Sequence, residues 1–341
     1  MGGMTALLVI LLILCCWRLK LSGYHADFLS PVFSMAIKGI FTVLIFCSHV
    51  RGYITLTDNW WNAGYEAFFN RIGQLIVTLF FFYSGYGVWE SQKSKPFYAR
   101  TFFRRRFLKT LLHFDIAVLL FILVQLCLGI YYSGREYLLC WTGWESVGNS
   151  NWFMFVIFAL YLLAQAALLL QPKSSSGAVI FMILASVALW VLLRVVAGKP
   201  SWWVNTLSVF PLGMIVSQWK EKILGLMGRP WAPYLITAGL AALFALVFGL
   251  WGVDIHGGCA CLFALLVVAV SSWVEIGNPA LAWLGKNAFT IYIIQRLPMI
   301  VFTSLGLSSR PALFVVLSLV TTLLLAEGLS RVYATIPSPT P

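Results

Sequence analysis

The stretch MAIKGIFTVLIFCSHVRGY (residues 35–53) decides the fold, because it is apolar enough to cross a bilayer and still carries Lys38 and His49. About 20 apolar residues in a helix span a hydrocarbon layer of ~30 Å. An ionisable side chain inside such a span is costly, and it usually faces a cavity or a substrate pathway. The stretch therefore predicts a membrane helix with one functional face.

The composition of the whole chain also indicates a membrane protein. Of its 341 residues, 61% are hydrophobic and only 10% are charged, whereas soluble domains have about 25% charged residues. The net charge of +12 is concentrated in alternate loops, which is typical of membrane topology rather than of a nucleic-acid surface. These features argue against a soluble domain and against nucleic-acid binding.

Eleven apolar segments predict an all-α integral membrane protein with about 11 transmembrane helices. They lie at residues 4–19, 33–53, 70–89, 108–132, 151–170, 178–197, 202–219, 232–251, 257–274, 284–304 and 311–334. The predicted parts are an extra N-terminal helix with its loop (1–32), a main membrane domain (33–334) and a short C-terminal tail (335–341).

The basic loop SQKSKPFYARTFFRRRFLK (91–109) sets the predicted topology. It holds seven Lys and Arg residues, and loops rich in these residues face the cytoplasm. Alternation along the chain then places the N-terminus outside and the C-terminus in the cytoplasm, in an inner or plasma membrane. The loops 54–69 and 133–150 fall outside and are rich in Trp, Tyr and Gly. They are interpreted either as an interfacial aromatic belt or as a vestibule for sugar rings.

Lys38 and His49 share one face of their helix. Eleven positions at 100° per residue bring the second side chain within about 20° of the first, and ~16 Å further along the axis. A long, extended ligand can therefore contact both. The structural alternatives are snorkelling of Lys38 to the interface and an interhelical hydrogen bond of His49.

A second basic cluster, FFRRRFLKTLLH (102–113), lies where the basic loop enters the fourth apolar segment. Anchoring at the cytoplasmic interface would explain all three arginines. However, Arg106 and Lys109 are also placed at i and i+3, on one helical face, where they can clamp phosphate groups.

Two further segments carry unusual residues. FFFYSGYGVWES (80–91) contains two glycines, which predict either close helix packing or a backbone break. GKNAFTIYIIQRL (285–297) places Tyr292, Gln295 and Arg296 within an apolar helix, and Arg296 is expected to pair with Asp254 or Glu66. Cys259 and Cys261 lie near His256, but their spacing matches no zinc motif, so no metal is expected.

These features together resemble the acyltransferase-3 family of integral-membrane acyltransferases. In that family a basic residue, ten intervening residues and a histidine stand on the first core helix, as Lys38 and His49 do here. FFFYSGYGV (80–88) is similar to the family's Phe-rich Ser-Gly segment, and Arg106–Lys109 to its Arg-x-x-Arg motif. Further similarities follow in order at NWFMFVIFALY (151–161), FPLGMIVSQ (210–218) and GKNAFTIYIIQ (285–295).

The resemblance implies a ten-helix core and a transferase for acyl groups other than amino-acyl. The acyl group, expected to be acetyl, would move from cytoplasmic acyl-coenzyme A to a hydroxyl of an envelope polysaccharide or a lipid-linked glycan precursor. His49 would be the general base or the acyl carrier, since its ordinary pKa of about 6.5 suits both roles. The donor would be bound by Lys38, Arg105, Arg106 and Lys109, and the acceptor or pocket residues would be Ser84, Trp152, Tyr292, Gln295 and Arg296.

Three departures from the family pattern limit what the resemblance implies, and one of them is the extra helix over 4–19, which precedes the ten-helix core. Gln295 stands where many members have a histidine, so no acid–base role carries over to it, and His113 replaces a frequent proline.

Two other hypotheses also fit buried cations in a bundle. One is a transporter or flippase of a small or lipid-linked solute without acyl transfer, and the other is a non-catalytic membrane sensor.

Overall fold

The computed structural model describes residues 3–57, 59–170, 175–251 and 257–335, and they form a bundle of membrane helices. Helices are expected because backbone groups in lipid must be satisfied within the segment. In chain order they are α1 (Met4–Cys15), α2 (Pro31–Val50), α3 (Trp60–Ile72), α4 (Leu75–Ser94), α5 (Tyr98–Phe102), α6 (Lys109–Cys127), α7 (Gly134–Leu139), α8 (Trp152–Leu170), α9 (Ser175–Val191), α10 (Val209–Gln218), α11 (Lys220–Met227), α12 (Ala232–Trp251), α13 (Gly258–Val270), α14 (Pro279–Lys286), α15 (Ala288–Ile294), α16 (Arg296–Ser304) and α17 (Pro311–Thr335).

All eleven predicted apolar segments contain helix, but the count of eleven crossings is not confirmed. In the described part of the chain, seven helices are long and apolar enough to cross a membrane: Pro31–Val50, Trp60–Ser94, Tyr98–Cys127, Trp152–Leu170, Ser176–Val196, Ala232–Leu250 and Pro311–Thr335. Four more apolar helices are shorter: Met4–Cys15, Val209–Gln218, Gly258–Val270 and Ala288–Ser304. The chain is therefore a multi-pass, predominantly helical membrane protein.

A short β-ribbon, not expected from the sequence, accompanies the predominantly helical bundle. Strand β1 (Leu19–Leu21) pairs antiparallel with β2 (Val274–Ile276), with Leu19 opposite Ile276. It joins the segment after α1 to the segment before α14. Strands of three residues are too short to show an alternating hydrophobic pattern, and the pairing partner lies far away in the sequence.

Glycines bring α2 and α14 into backbone contact. A Cβ at Gly39 would collide with the carbonyl of Leu281, and a Cβ at Gly285 would collide with the carbonyl of Met35. Small residues allow membrane helices to approach closely. As residue numbers rise along α14 they fall along α2, so the two helices are antiparallel. Lys38, which precedes Gly39, is held firmly by this contact.

A second glycine pair joins α4 to α10. A Cβ at Gly85 would meet the carbonyl of Phe210, and a Cβ at Gly213 would meet that of Phe82, whereas one at Gly87 would meet nothing within 4 Å. The expected close packing is thus observed at the first glycine of FFFYSGYGV. It fixes the position of the neighbouring Ser84.

The predicted helix over 284–304 is in fact divided. Helix α14 runs antiparallel to the first half of α2, the chain turns at Asn287, and α15 and α16 return along the bundle. Asn287 stabilises the turn, since its side-chain amide donates to the carbonyl of Trp283 (3.1 Å) and its oxygen accepts from Ser330 (3.0 Å). The apolar composition continues through the turn, so hydropathy alone could not reveal it.

The predicted outer loop 54–69 also contains an additional helix, α3. Asn59 caps its first turn by accepting from the backbone of Asn62 (3.2 Å), and Gly73, with φ of 45°, separates it from α4. The Tyr65 hydroxyl donates to the carbonyl of Cys47 near the end of α2. Helix α3 thus packs on the end of the bundle at which α2 finishes, called the aromatic end below.

The opposite end of the bundle, where α2 begins and residues 103–109 lead into α6, is called the basic end. Helix α17 finishes there, because the hydroxyl of Tyr333 donates to the carbonyl of His113 (3.1 Å). Helix α1 begins at the aromatic end, where the Met4 backbone donates to Asn62 (3.1 Å). The two termini of the described chain therefore lie at opposite ends of the bundle.

Candidate active site

A cavity of about 240 Å³ lies inside the bundle between α2, α4, α8, α15 and the start of α6. Apolar side chains such as Phe80, Phe153 and Ile157 form much of its wall. The polar lining groups come from segments far apart in the sequence. The main ones are Lys38, Ser84, Arg106, Tyr161, Tyr292 and Gln295.

Two cations define the part of the cavity nearer the basic end. Arg106 donates from Nε to the hydroxyl of Tyr161 (3.2 Å), and that hydroxyl donates to Oγ of Ser84 (3.5 Å). The Nζ of Lys38 lies 5.7 Å from the centroid of the Tyr83 ring. Among the described residues, no carboxylate forms an ion pair with either cation. Two unneutralised cations facing one cavity can bind an anion.

The structure does not bring all the predicted donor-binding residues to the cavity. Phe103–Leu108 is a π-helical turn, in which hydrogen bonds run to the fifth residue and the helix is widened. Arg106 on this turn lines the cavity. All three of these basic residues are exposed, but Arg105 and Lys109 lie outside the lining. The prediction that Arg106 and Lys109 share one helical face assumed the i, i+3 spacing of an ideal α-helix. The π-helical turn interrupts that spacing.

His49 lies in the last turn of α2, toward the aromatic end. Its Nδ1 is 3.0 Å from Nε2 of Gln295, and Gln295 is 0% exposed and lines the cavity. The ring of Tyr292 lies 6.0 Å from the imidazole, centroid to centroid. Lys38 lines the cavity, whereas His49, ~16 Å further along the helix, is not one of its lining residues and contacts the wall through Gln295.

Arg296 has different partners from those expected. Its Nε donates to the hydroxyl of Tyr53 (2.7 Å) and its NH1 to the carbonyl of Asn149 (3.1 Å). Glu66 pairs instead with Arg51 at 2.6 Å, while Asp254 lies outside the described residues. Arg296 is the first residue of α16, directly after the helix break at Gln295. Tyr292, one turn earlier, lines the cavity, whereas Arg296 does not.

Two predicted residues beside the cavity differ in position. Ser84 lines it, but Trp152, at the start of α8, packs edge-on against Phe153 (6.1 Å between centroids). Phe153 in turn contacts Tyr292 at 5.0 Å. Trp152 therefore supports the wall without reaching the cavity.

The sequence did not single out Tyr83, Tyr161 or Phe153 as lining residues. Tyr161 is the last residue of the segment 151–161, which is similar to a family motif. That similarity could have identified Tyr161 as a candidate site residue. No local pattern distinguishes Tyr83 or Phe153 from the surrounding aromatic residues. His113, by contrast, stacks on Tyr333 with 3.8 Å between centroids and lies outside the lining.

The aromatic end is covered by the segment 133–150. A capping box between Ser133 and Glu136 starts α7, and the backbone N–H of Ser133 holds the pKa of the Glu136 carboxyl below its ordinary value. The segment returns to the bundle through the carbonyl of Val147, which accepts from Gln125 (3.3 Å), and through Asn149. The segment is also held to the bundle at Arg296, which donates to the carbonyl of Asn149.

A metal centre is not formed by the described residues, in which no group of three or more His, Cys, Asp or Glu side chains is placed to hold an ion. Cys259 is buried, and the Cys261 thiol contacts the hydroxyl of Ser208 at 3.3 Å. His256 lies outside the described ranges.

Comparison with known families agrees with this architecture. A family model described as an acyltransferase domain, that of the acyltransferase-3 family, matches residues 33–330. Comparison with curated proteins and with solved structures gave no match. The matched range includes every helix that lines the cavity. With a match over most of its length, the chain belongs to the acyltransferase-3 family and is a multi-pass membrane acyltransferase.

Proposed function

We propose that this enzyme is an O-acyltransferase that moves an acyl group, specifically acetyl, from acyl-coenzyme A to a hydroxyl of an envelope polysaccharide or of a lipid-linked glycan precursor. The observation that carries the proposal is the arrangement of one cavity, with the unpaired cations Lys38 and Arg106 toward one end and His49 in contact with its wall through Gln295 at the other.

The cations are suited to an anionic donor. Coenzyme A carries phosphates, and hydrogen bonds between a guanidinium and phosphate oxygens are short, strong and often bidentate. The apolar wall between Lys38 and His49 suits the uncharged arm of the donor. An extended arm that starts at the cations would bring its thioester toward His49, ~16 Å away along α2.

His49 is proposed as the general base of the transfer. Its imidazole takes the proton of the acceptor hydroxyl while the hydroxyl oxygen attacks the carbonyl carbon of the thioester. The C–S bond then breaks, and the proton passes from the imidazole to the departing thiolate. A variant of this scheme has His49 itself carrying the acyl group between donor and acceptor.

In this proposal the basic end faces the cytoplasm, where acyl-coenzyme A is available, in an inner or plasma membrane. The N-terminus is then outside and the C-terminus is cytoplasmic. The excess of Lys and Arg in loops 91–109 and 220–231 supports this orientation. The acceptor would approach the His49 side of the cavity from the aromatic end.

Mass spectrometry of envelope glycans from cells with and without the gene tests the proposal. We expect a mass difference of one acetyl group on a glycan or its lipid-linked precursor. The purified protein in detergent should also release free coenzyme A from acetyl-coenzyme A when an acceptor is supplied. Glycans of identical mass, together with no consumption of the donor, would instead favour a transporter or flippase, for which buried cations are equally suitable.

A further inference from the structure

Of the two polar atoms in the side-chain amide of Gln295, the nitrogen has a hydrogen-bond partner and the oxygen has none among the described residues. Gln295 is 0% exposed and lines the cavity. Its Nε2 lies 3.0 Å from Nδ1 of His49, whereas Oε1 has no hydrogen-bond partner among the described residues. An unpartnered buried polar atom is costly and uncommon in folded proteins. The free end therefore points to a group that arrives with the substrate.

The contact also decides which nitrogen of His49 is available for chemistry. Because Gln295 occupies Nδ1, only Nε2 remains to face a substrate. A carboxamide can present either its NH2 or its oxygen to Nδ1, since a half-turn of the same group exchanges them. If the NH2 donates, the ring proton sits on Nε2 and that nitrogen cannot accept another. If the oxygen accepts, Nδ1 carries the proton and the lone pair of Nε2 is free.

We propose that Gln295 sets the reactive tautomer of His49: its amide oxygen accepts the proton of Nδ1–H, and its NH2 group turns into the cavity to donate to the acyl carbonyl oxygen. This inference rests on the function proposed above. It gives Gln295 two tasks at one step, namely positioning the base and stabilising the negative charge on the carbonyl oxygen.

In the proposed transfer, the C–O bond that forms replaces the C–S bond that breaks, and one proton moves from the acceptor oxygen to sulfur through His49. The acceptor oxygen forms a bond to the carbonyl carbon while its proton moves to Nε2 of His49, which becomes an imidazolium held at Nδ1 by Gln295. The carbonyl oxygen takes the negative charge and accepts from the Gln295 NH2. When the carbonyl re-forms, the C–S bond breaks and the proton on Nε2 passes to sulfur, releasing an ester and a thiol.

Kinetics of three variants of the purified full-length enzyme test the proposal. Gln295→Leu removes both tasks, and we expect kcat to fall about 10⁴-fold, since a misplaced base costs about 10²–10⁴ and a lost oxyanion donor about 10²–10³. Gln295→Glu keeps an oxygen for Nδ1–H, and it should be at least about tenfold more active than Gln295→Leu. Thr290→Val, at a buried position of the same helix outside the cavity lining, is the matched control and should stay within about threefold of the wild type.

The KM for acetyl-coenzyme A should change little in both Gln295 variants, because the donor phosphates bind elsewhere in the cavity. The proposal is overturned if Gln295→Leu stays within about threefold of the wild-type kcat, or if a folded Gln295→Glu enzyme is no more active than Gln295→Leu. Folding is checked for each variant by its thermal unfolding midpoint in detergent.

A spectroscopic measurement reports the tautomer directly. The chain has only four histidines, so ¹⁵N-histidine labelling gives a simple spectrum in which His49→Ala identifies the signals of His49. We expect the Nδ1–H form with acetyl-coenzyme A bound and its loss in Gln295→Leu. An Nε2–H form in the donor-bound wild type would refute the inference. The two proposals also fail separately: an active His49→Ala enzyme contradicts the proposed role of His49, whereas an inactive one beside a nearly normal Gln295→Leu enzyme contradicts only the role of Gln295.

Discussion

At the scale of single residues, the site is defined by two cations, Lys38 and Arg106, that have no carboxylate partner within the part of the chain that the structure describes. Several exposed or half-exposed cations of the described chain do have such partners, as Arg51 has Glu66 and Lys220 has Glu90. Lys38 and Arg106 have instead only aromatic and hydroxyl neighbours. A positive charge inside a membrane bundle is costly, so a site of this kind is expected to gain stability when an anionic ligand occupies it.

Replacement of His49 is predicted to abolish transfer without disturbing the fold. His49→Ala removes the base, and we expect acetyl transfer to fall by at least about 10³-fold, within the range of general-base catalysis. His49→Gln, which keeps a polar group of similar size, should be equally inactive. Transfer of labelled acetyl to an acceptor measures the effect, and the amount of monodisperse protein in detergent monitors folding. Substantial activity in either variant would remove His49 from the mechanism.

Replacement of the cavity cations is predicted to weaken use of the donor. Arg106→Ala and Lys38→Ala should each raise the KM for acetyl-coenzyme A by about tenfold or more, because a charge-assisted hydrogen bond contributes about 1.5–3 kcal/mol. The control is Arg104→Ala, at an exposed position of the same π-helical turn outside the lining. A KM that responds equally to all three changes would mean that general surface charge, not the cavity, attracts the donor.

At the scale of secondary-structure elements, two antiparallel helix pairs hold the site. The pair α2–α14 positions Lys38 through Gly39, and the pair α4–α10 positions Ser84 through Gly85. Because backbones touch at these glycines, a side chain cannot be added without separating the helices. The glycines therefore contribute to the stability of the bundle and to the positions of Lys38 and Ser84.

Two alanine substitutions in α4 should have opposite effects on stability. Gly85→Ala places a methyl group against the carbonyl of Phe210 and should lower the unfolding free energy by roughly 1–3 kcal/mol or more. Gly87→Ala meets nothing within 4 Å and should raise it by about 0.5–1 kcal/mol, because glycine weakens a helix. Thermal unfolding in detergent compares the two, and equal midpoints would contradict close packing at Gly85.

At the scale of the whole molecule, the bundle has two distinct ends. The end of α17 contacts His113 at the basic end, and the start of α1 contacts Asn62 at the aromatic end. The cavity cations Lys38 and Arg106 lie nearer the former and His49 nearer the latter. A cavity with this polarity suits a donor and an acceptor that approach from opposite directions.

Reporter fusions test the orientation of the molecule. With the basic end in the cytoplasm, a fluorescent protein on the C-terminus should fluoresce, and an N-terminal reporter that is active only outside the cytoplasm should be active. A fluorescent reporter inserted in the basic loop after Pro96 is the control and should behave as the C-terminal one does. Termini found on the same side would contradict the arrangement of α1 and α17.

The sequence by itself determined the class of the protein, its helical segments, the shared face of Lys38 and His49, and the family. The class, the helical segments and the shared face follow from local composition and helical periodicity, because transfer of a segment into lipid depends on its own residues. The family follows instead from the resemblance of motifs that occur in order along the chain. The glycines of residues 80–91 predicted either close helix packing or a backbone break, and close packing is found at Gly85.

Only the tertiary structure decided how the site is assembled. The turn at Asn287, the π-helical turn that separates Arg106 from Lys109, and the contact between His49 and Gln295 all depend on packing between distant segments. Arg296 was expected to pair with a carboxylate, but its hydrogen-bond partners are Tyr53 and the backbone of Asn149. Hydropathy reports how much each segment prefers lipid, but not which neighbour it meets there, and the cavity is made by those neighbours.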